Sequence, residues 1–431
     1  MLWRRASLLA LCIGASGMFG QVREAPAGSV EQLVQQAFER NREILAARQR
    51  VEEARGLLRQ AGVRPVPTVE VNAGSGRPLG TQGEEEYTVG YFQPIETGGK
   101  RSKRLAVAEK GLELAESELA ERSRQLAYEI KARYIDVAAN RRKVAAIESI
   151  VNVSRQSYRL IDARVQRDDA APLERQLLLV ELNRAEAQKA STIGQADAAQ
   201  VALRLSMGIP AQASEPTNIS TLPPVEVSAS LEDIVKRALV SRPDLRLART
   251  LESQSGAELA LTEAQSRPDL TASAQYARRY SQFEDPLRTA GSGSPLLLQD
   301  RDNILTVGIS IPLQSKKRNE GNIEAAVARQ RAAGLRRQHL EVTIPLEAEA
   351  AWRRYQAAKN TVGILNRGVL EESRSNLSVI RKAYELGQLR LLDVLNEQRR
   401  LLETELSFID SEAELARSVT ELERIVGGSL Q

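Results

Sequence analysis

Val30-Glu31-Gln32-Leu33-Val34-Gln35-Gln36-Ala37 is answered 201 residues later by Leu231-Glu232-Asp233-Ile234-Val235-Lys236-Arg237-Ala238. The register then holds without a gap: Glu43-Ile44 falls on Asp244-Leu245, Ala47-Arg48 on Ala248-Arg249, and Pro67 on Pro268. Further on, Tyr87-Thr88-Val89-Gly90 falls on Leu305-Thr306-Val307-Gly308 and Pro94 on Pro312, now at an offset of 218. The second copy has therefore taken up 17 residues, and they lie in the Gly-, Ser- and Pro-rich stretch from Phe283 to Asp302, which reads as a longer loop. A chain of 431 residues written twice in this way reads as one elongated unit of two like halves.

The first repeat, 28–209, carries a helix, strands at 67–76 and 86–95, a long helix over 100–167 and a returning helix over 173–207. The second, 230–427, carries a helix, strands at 269–280 and 303–313, a long helix over 316–386 and a returning helix over 390–427. Residues 210–229, rich in Pro, Ser and Thr, form the connector. Every strand alternates: Val69, Val71 and Ala73 interleave with Thr68, Glu70 and Asn72, and Leu305, Val307, Ile309 and Ile311 with Thr306, Gly308 and Ser310. Such a period of two suits both a half-buried soluble sheet and a membrane barrel. Four strands cannot close a barrel, since even small filled ones take about eight. An oily face in lipid would need identical neighbours, and three copies supply about twelve strands with no free edge.

From Lys100 to Arg167 there is no proline and one glycine, Gly111. That run predicts a rod of about 100 Å at 1.5 Å per residue. Leu395, Leu402, Ile409 and Ala416 recur every seven residues, the spacing of a coiled-coil seam. Pro345 falls inside the second long helix, where it predicts a kink or short break. Aromatics make up only 4% of the chain, which favours long packed helices over compact mixed cores.

Residues 1–20 hold Arg4 and Arg5 followed by an apolar run from Ala6 to Phe19, too short to span a bilayer and suited to a secretory signal peptide cut between 17 and 27. Cys12, the single cysteine, is expected to leave with that segment; lipidation there is the other reading. The mature chain then has no thiol, and with His339 as its one histidine it offers no catalytic triad, no metal-ligand cluster and no cofactor motif. The net charge of +4 is no nucleic-acid footprint. Later in the chain no apolar run approaches a transmembrane helix.

Three motifs carry a resemblance to the TolC family of outer-membrane efflux proteins: Ser241-Arg242-Pro243-Asp244-Leu245, Gln93-Pro94-Ile95-Glu96-Thr97-Gly98-Gly99-Lys100-Arg101, and Ala383-Tyr384-Glu385-Leu386-Gly387-Gln388 followed by Leu391-Leu392-Asp393-Val394-Leu395. The resemblance covers nearly the whole mature chain. It implies a mainly α fold with a small β part. It further implies a homotrimer, with a twelve-stranded barrel in outer-membrane lipid continuous with a twelve-helix periplasmic tunnel. Its expected partners are a periplasmic adaptor and an inner-membrane pump, of the resistance-nodulation-division type. The Gly-Gly-Lys-Arg sequence is similar to that of the heavy-metal branch, of the CzcC and CusC kind, so metal cations stand beside small toxic organic compounds as expected cargo. A periplasmic coiled-coil adaptor is the alternative, although an adaptor has one helical hairpin and this chain has two.

The resemblance also assigns residues. Asp393 matches an aspartate ring that narrows the tunnel tip, while Asn396 stands where the family has a second aspartate. Asp393 equally suits the first turn of its helix, next to the positive dipole end. Glu174 and Tyr384 match a tether of the closed tip, with Arg390 one residue from the expected basic partner. Lys100, Arg101, Lys316 and Lys317 form basic turns where strands give way to helices, reading either as headgroup contacts or as solvated turns.

Overall fold

The structure, a computed structural model, describes residues 29–79, 84–210, 219, 221–223, 226–289, 295–313 and 319–430. The proposed signal peptide, Cys12 and the basic residues Lys316 and Lys317 lie outside them. Each repeat opens with two helices in place of the single expected one: α1 (Val30–Arg40) and α2 (Arg42–Ala61), then α5 (Leu231–Ser241) and α6 (Pro243–Gln265). The break has a local cause in both halves. Asn41 adopts extended backbone and caps α2 by accepting from Glu43 N and Ile44 N, and Arg242 is extended because Pro243 follows it.

Two hairpins of helices form the shaft. α3 (Lys100–Val165) runs 66 residues and returns as α4 (Pro172–Met207). In the second repeat α7 (Glu320–Ile364), a wide turn of π geometry (Leu365–Leu370) and α8 (Glu371–Glu385) make the outgoing arm, and α9 (Leu391–Val426) returns. The expected break at Pro345 does not occur. α7 runs through it, with Ile344, Ala348 and Ala351 buried in the core around it, and the irregularity lies twenty residues on, at the turn containing Gly368. Both tip turns hold one residue in the left-handed region, Asp168 (φ 58°) and Gly387 (φ 75°).

The heptad residues Leu395, Leu402, Ile409 and Ala416 are buried along α3 and α4: Leu395 meets Ile161 and Leu178, Leu402 meets Ile147, Val151 and Leu182, and Ile409 and Ala416 meet Ile135 and Ala139. A second heptad, Val394, Leu401, Phe408 and Leu415, turns the other way towards α7 and α8, where it meets Leu370, Leu377 and Ala358. α9 is thus a helix with two seams, one for each neighbour, the arrangement that a helix in a wall of helices takes.

β1 (Thr68–Ser75), β2 (Glu85–Ile95), β3 (Leu270–Thr289) and β4 (Pro295–Ser310) form one antiparallel sheet in that order. β1 and β4 are its open edges. The strands of the second repeat are longer than the 269–280 and 303–313 read from sequence. Beyond Tyr280, which pairs with Glu85 at the end of β2, β3 and β4 continue alone as a two-stranded ribbon. The 17 inserted residues therefore lengthen the strands of the hairpin and not the loop read from sequence: five residues separate β3 from β4, against nine between β1 and β2. Their Gly, Ser and Pro content signalled only the turn, because backbone pairing with a neighbour leaves no trace in composition.

Candidate functional site

The first functional surface is the sheet. Its register aligns the apolar residues in rows: Val69, Tyr91, Ala274 and Val307 in one, Val71, Val89, Tyr276 and Leu305 in the next. Val71, Leu305, Val307 and Ile309 are more than 70% exposed, so this face is uncovered. The opposite face carries Glu70, Gly90, Gln275 and Thr306 in the row between them. An oily face of this extent, open to the surroundings on a sheet with two unpaired edges, is unstable in water and suited to hydrocarbon once the edges are paired. Among the described residues no helix is long and apolar enough to cross a membrane.

At the junction of sheet and shaft, the basic turn works inside the fold. Lys100 is buried, its Nζ donating to Asp269 Oδ1 at 2.8 Å and to Arg267 O at 2.7 Å. Arg101 Nε donates to Gly62 O at 2.7 Å; Arg104 bonds Ala61 O and Val63 O and pairs with Glu96. Lys103 reaches Ala260 O at 3.0 Å. These cations are therefore spent on the carbonyl ends of α2 and α6, where the helix dipole favours positive charge. Lys100 in particular is engaged inside the fold. Burial raises the Asp269 carboxyl, but the Lys100 bond and the Thr97 amide outweigh it and hold it below the usual carboxylate range.

The second surface is the tip, where a cavity of about 850 Å³ lies between the two hairpins. Glu174 and Tyr384 both line it, with Arg164 and Arg381. Burial, then the charge of Glu174, push the Tyr384 phenol above its usual value against the pull of Arg164. The ring packs on Ile161, Leu178, Leu391 and Leu395, and no direct hydrogen bond joins the two residues. Asp393 and Asn396 lie elsewhere, exposed on another face of α9. Asp393 Oδ2 accepts from Arg390 N at 3.0 Å, so the carboxylate caps its own helix; Arg390 meets Asp393 through its backbone, and its exposed side chain makes no bond with Glu174 or Tyr384.

A third cluster, part-way along the shaft, was not read from sequence. Arg242, 3% exposed at the side chain, pairs with Asp244 and Glu347, both at 2.7 Å. Arg124 of the first repeat pairs with Glu121 at 2.6 Å, approaches Asp244 at 3.9 Å and donates to Arg424 O at 2.7 Å. Lys131 meets Glu423 and Arg142 meets Glu412, extending this ionic joint between repeats along α3 and α9. Burial raises the Asp244 carboxyl, and the hydrogen bonds and charge of Arg242 more than reverse it, leaving a net lowering. The partners are more than 100 residues apart in several cases, so no spacing rule reveals them. Among the described residues no group of His, Cys, Asp and Glu is placed to hold a metal ion.

The family model described as outer membrane efflux protein matches residues 33–209 and 234–428, the two repeats. The chain belongs to that family. This outer membrane efflux protein is 22% identical over 389 residues to the cobalt-zinc-cadmium resistance protein CzcC of Cupriavidus metallidurans, covering 90% of this chain and 87% of that one. Its fold matches CusC with a TM-score of 0.70 at 18% identity, over 93% of this chain and 92% of the other. It also matches the outer-membrane channel OprN with a TM-score of 0.72 at 20% identity, over 93% and 90%. The TolC-type fold expected from the motifs is thereby established, and the adaptor alternative falls, because the family match covers both hairpins and the sheet between them.

Proposed function

We propose that this outer membrane efflux protein is the passive exit duct of a tripartite export system, in which three copies close a twelve-stranded barrel above a twelve-helix tunnel. The observation that carries the reading is the open four-stranded sheet with its uncovered apolar face. Antiparallel pairing of β4 with the β1 of a neighbour removes both edges, and strand parity permits it because each chain contributes an even number. The shaft supports the same count. Leu335, Val342 and Leu346 of α7 form an exposed apolar stripe at helical spacing, which α2 of the next copy would cover as α6 covers α3 within one chain.

In this reading the duct performs no chemical step, and energy comes from an inner-membrane pump of the resistance-nodulation-division type through a periplasmic adaptor seated on the tip. Likeness to a cobalt-zinc-cadmium resistance protein favours metal cations as cargo. A conduit needs no resident metal site for that role. At the tip Glu174 and Tyr384 hold the hairpins together across the shared cavity, and three copies of Asp393 with Asn396 give a collar of modest negative charge, attractive to cations. An N-terminal signal peptide directs export to the outer membrane.

Purified full-length protein should migrate as a heat-sensitive trimer and insert into planar bilayers as a channel; a water-soluble monomer would overturn the proposal. Glu174→Ala combined with Tyr384→Phe should raise single-channel conductance several-fold, and an unchanged value would remove the tether. Deleting the gene should lower tolerance to zinc, cobalt or cadmium. Unchanged metal tolerance together with lost tolerance to organic toxicants would reassign the cargo.

A further inference from the structure

The outer end of the sheet carries charge on both faces, and the two faces treat it differently. On the face opposite the apolar rows, Arg279 pairs with Glu86 at 3.2 Å, so its charge is answered within the chain. On the apolar face the rows continue outward into Tyr87, Arg278 and Asn303, and then into Glu85, Tyr280 and Arg301. There the guanidinium carbons of Arg278 and Arg301 lie 5.1 and 5.6 Å from the Tyr280 ring centroid, and Tyr87 meets the same ring edge-on at 6.5 Å. Both arginines are exposed, and among the described residues neither has a carboxylate partner. Glu85 of the same row is taken by Arg77 at 3.0 Å.

We infer that Arg278, Tyr280 and Arg301 form a binding site for the phosphorylated headgroup of an outer-leaflet glycolipid. The inference rests on the channel reading above, which sets this face in lipid. The ring gathers two guanidinium groups, each within 6 Å of its centroid, at the height where the apolar rows end, which is where headgroups begin. A guanidinium offers paired donors that match phosphate oxygens, and its charge is worth more at a lipid boundary than in water. The ring face is attractive to cations, so the pair keeps its place in the free protein. A lone arginine on this face would be a solvated rim charge. Two of them around one tyrosine, with Glu85 of the same row held by Arg77 and Glu86 of the opposite face held by Arg279, make a pre-set anion seat. The site also marks where the β3–β4 ribbon leaves the four-stranded sheet, so an occupied seat braces the base of that ribbon.

The test uses the full-length protein in detergent, titrated with a bis-phosphorylated diglucosamine lipid, its dephosphorylated form and inorganic phosphate, with retained lipid read by native mass spectrometry. Arg278→Gln with Arg301→Gln should retain about tenfold less phosphorylated lipid than the natural chain. Arg278→Lys with Arg301→Lys should recover part of that loss. Arg279→Gln, on the opposite face, should retain the natural amount. The dephosphorylated lipid and inorganic phosphate should compete poorly. Equal retention by the natural and Gln chains overturns the site, and so does full competition by inorganic phosphate, which would make it a general anion patch. Insertion of the natural chain into planar bilayers is scored alongside. Failure to insert refutes the channel reading, whereas insertion with equal lipid retention refutes this site alone.

Discussion

α3 and α7 are the same helix written twice, at the offset of 218 that aligns Leu126 with Ile344 and Ile130 with Ala348, all four of them buried. Their flanks differ. In α3 the stripe Ser117, Glu121 and Arg124 is covered, with Ser117 2% and Glu121 9% exposed, and Arg124 sits in the ionic joint to the second repeat. In α7 the equivalent positions are Leu335, His339 and Val342, and Leu335 and Val342 are each 65% exposed. The joint made within the chain is polar and paired, whereas the stripe left open is oily. Ion pairs fix register between segments that never separate, but an apolar stripe gives the net attraction that assembly of separate chains requires. In the proposed trimer, the difference marks which contacts are made during folding and which await a second copy.

Breaking the open stripe should have the largest effect. Leu335→Glu with Val342→Glu should abolish the trimer and leave a folded monomer, because each removes roughly 1.5–3 kcal/mol of apolar burial and adds charge to the interface. Native mass spectrometry and circular dichroism together would decide it, and a surviving trimer would place the interface elsewhere. The paired side comes next: Arg242→Ala leaves Asp244 with Arg124 alone, at 3.9 Å, and half-exposed Glu347 without its partner, and should cost about 3 kcal/mol, read as a lower Tm. Its counterpart in the first repeat is Asn41, which donates to Ser206 O at 2.8 Å and caps α2. Asn41→Ala should cost about 0.5–2 kcal/mol, and equal losses at the two positions would deny that the joints differ. The smallest effect is on pH. Asp244 has a folded pKa below its unfolded one, so its contribution is present above the unfolded value and lost as pH falls through the folded one. Thermal stability should therefore decline below about pH 4, and Asp244→Asn should flatten that decline.

Much of this was legible in the residues. The duplication, the strand alternation, the long proline-free helix and the Leu395 heptad all report periodic burial, which sequence records directly. The second seam through Val394, Leu401, Phe408 and Leu415 was hidden because it interleaves with the first, one residue ahead at every turn. The continuity at Pro345 was hidden for another reason: a lost backbone bond of about 3 kcal/mol was outweighed by the burial of Ile344, Ala348 and Ala351 around it. At the tip, sequence named Glu174 and Tyr384, which share a cavity, together with Asp393, Asn396 and Arg390, which face away from it. Distance along the chain says nothing about which side of a helix two residues take when the helices themselves are offset. The cations from Lys100 to Arg104 were legible as a cluster, but their carbonyl partners at Ala61, Gly62, Val63, Ala260 and Arg267 are backbone atoms that no residue letter encodes.

The wide turn at Leu365–Leu370 acts as a phase shifter. One surplus residue in a helix of 3.6 residues per turn rotates everything beyond it by about 100°. Above the turn, Ala351, Tyr355 and Ala358 face the core of the second repeat; below it, Leu377 faces Val394 and Leu401 of α9. Removing a single residue there, Gly368 for example, would swing the whole lower arm round and point Leu377 into solvent, although no contact residue had been changed.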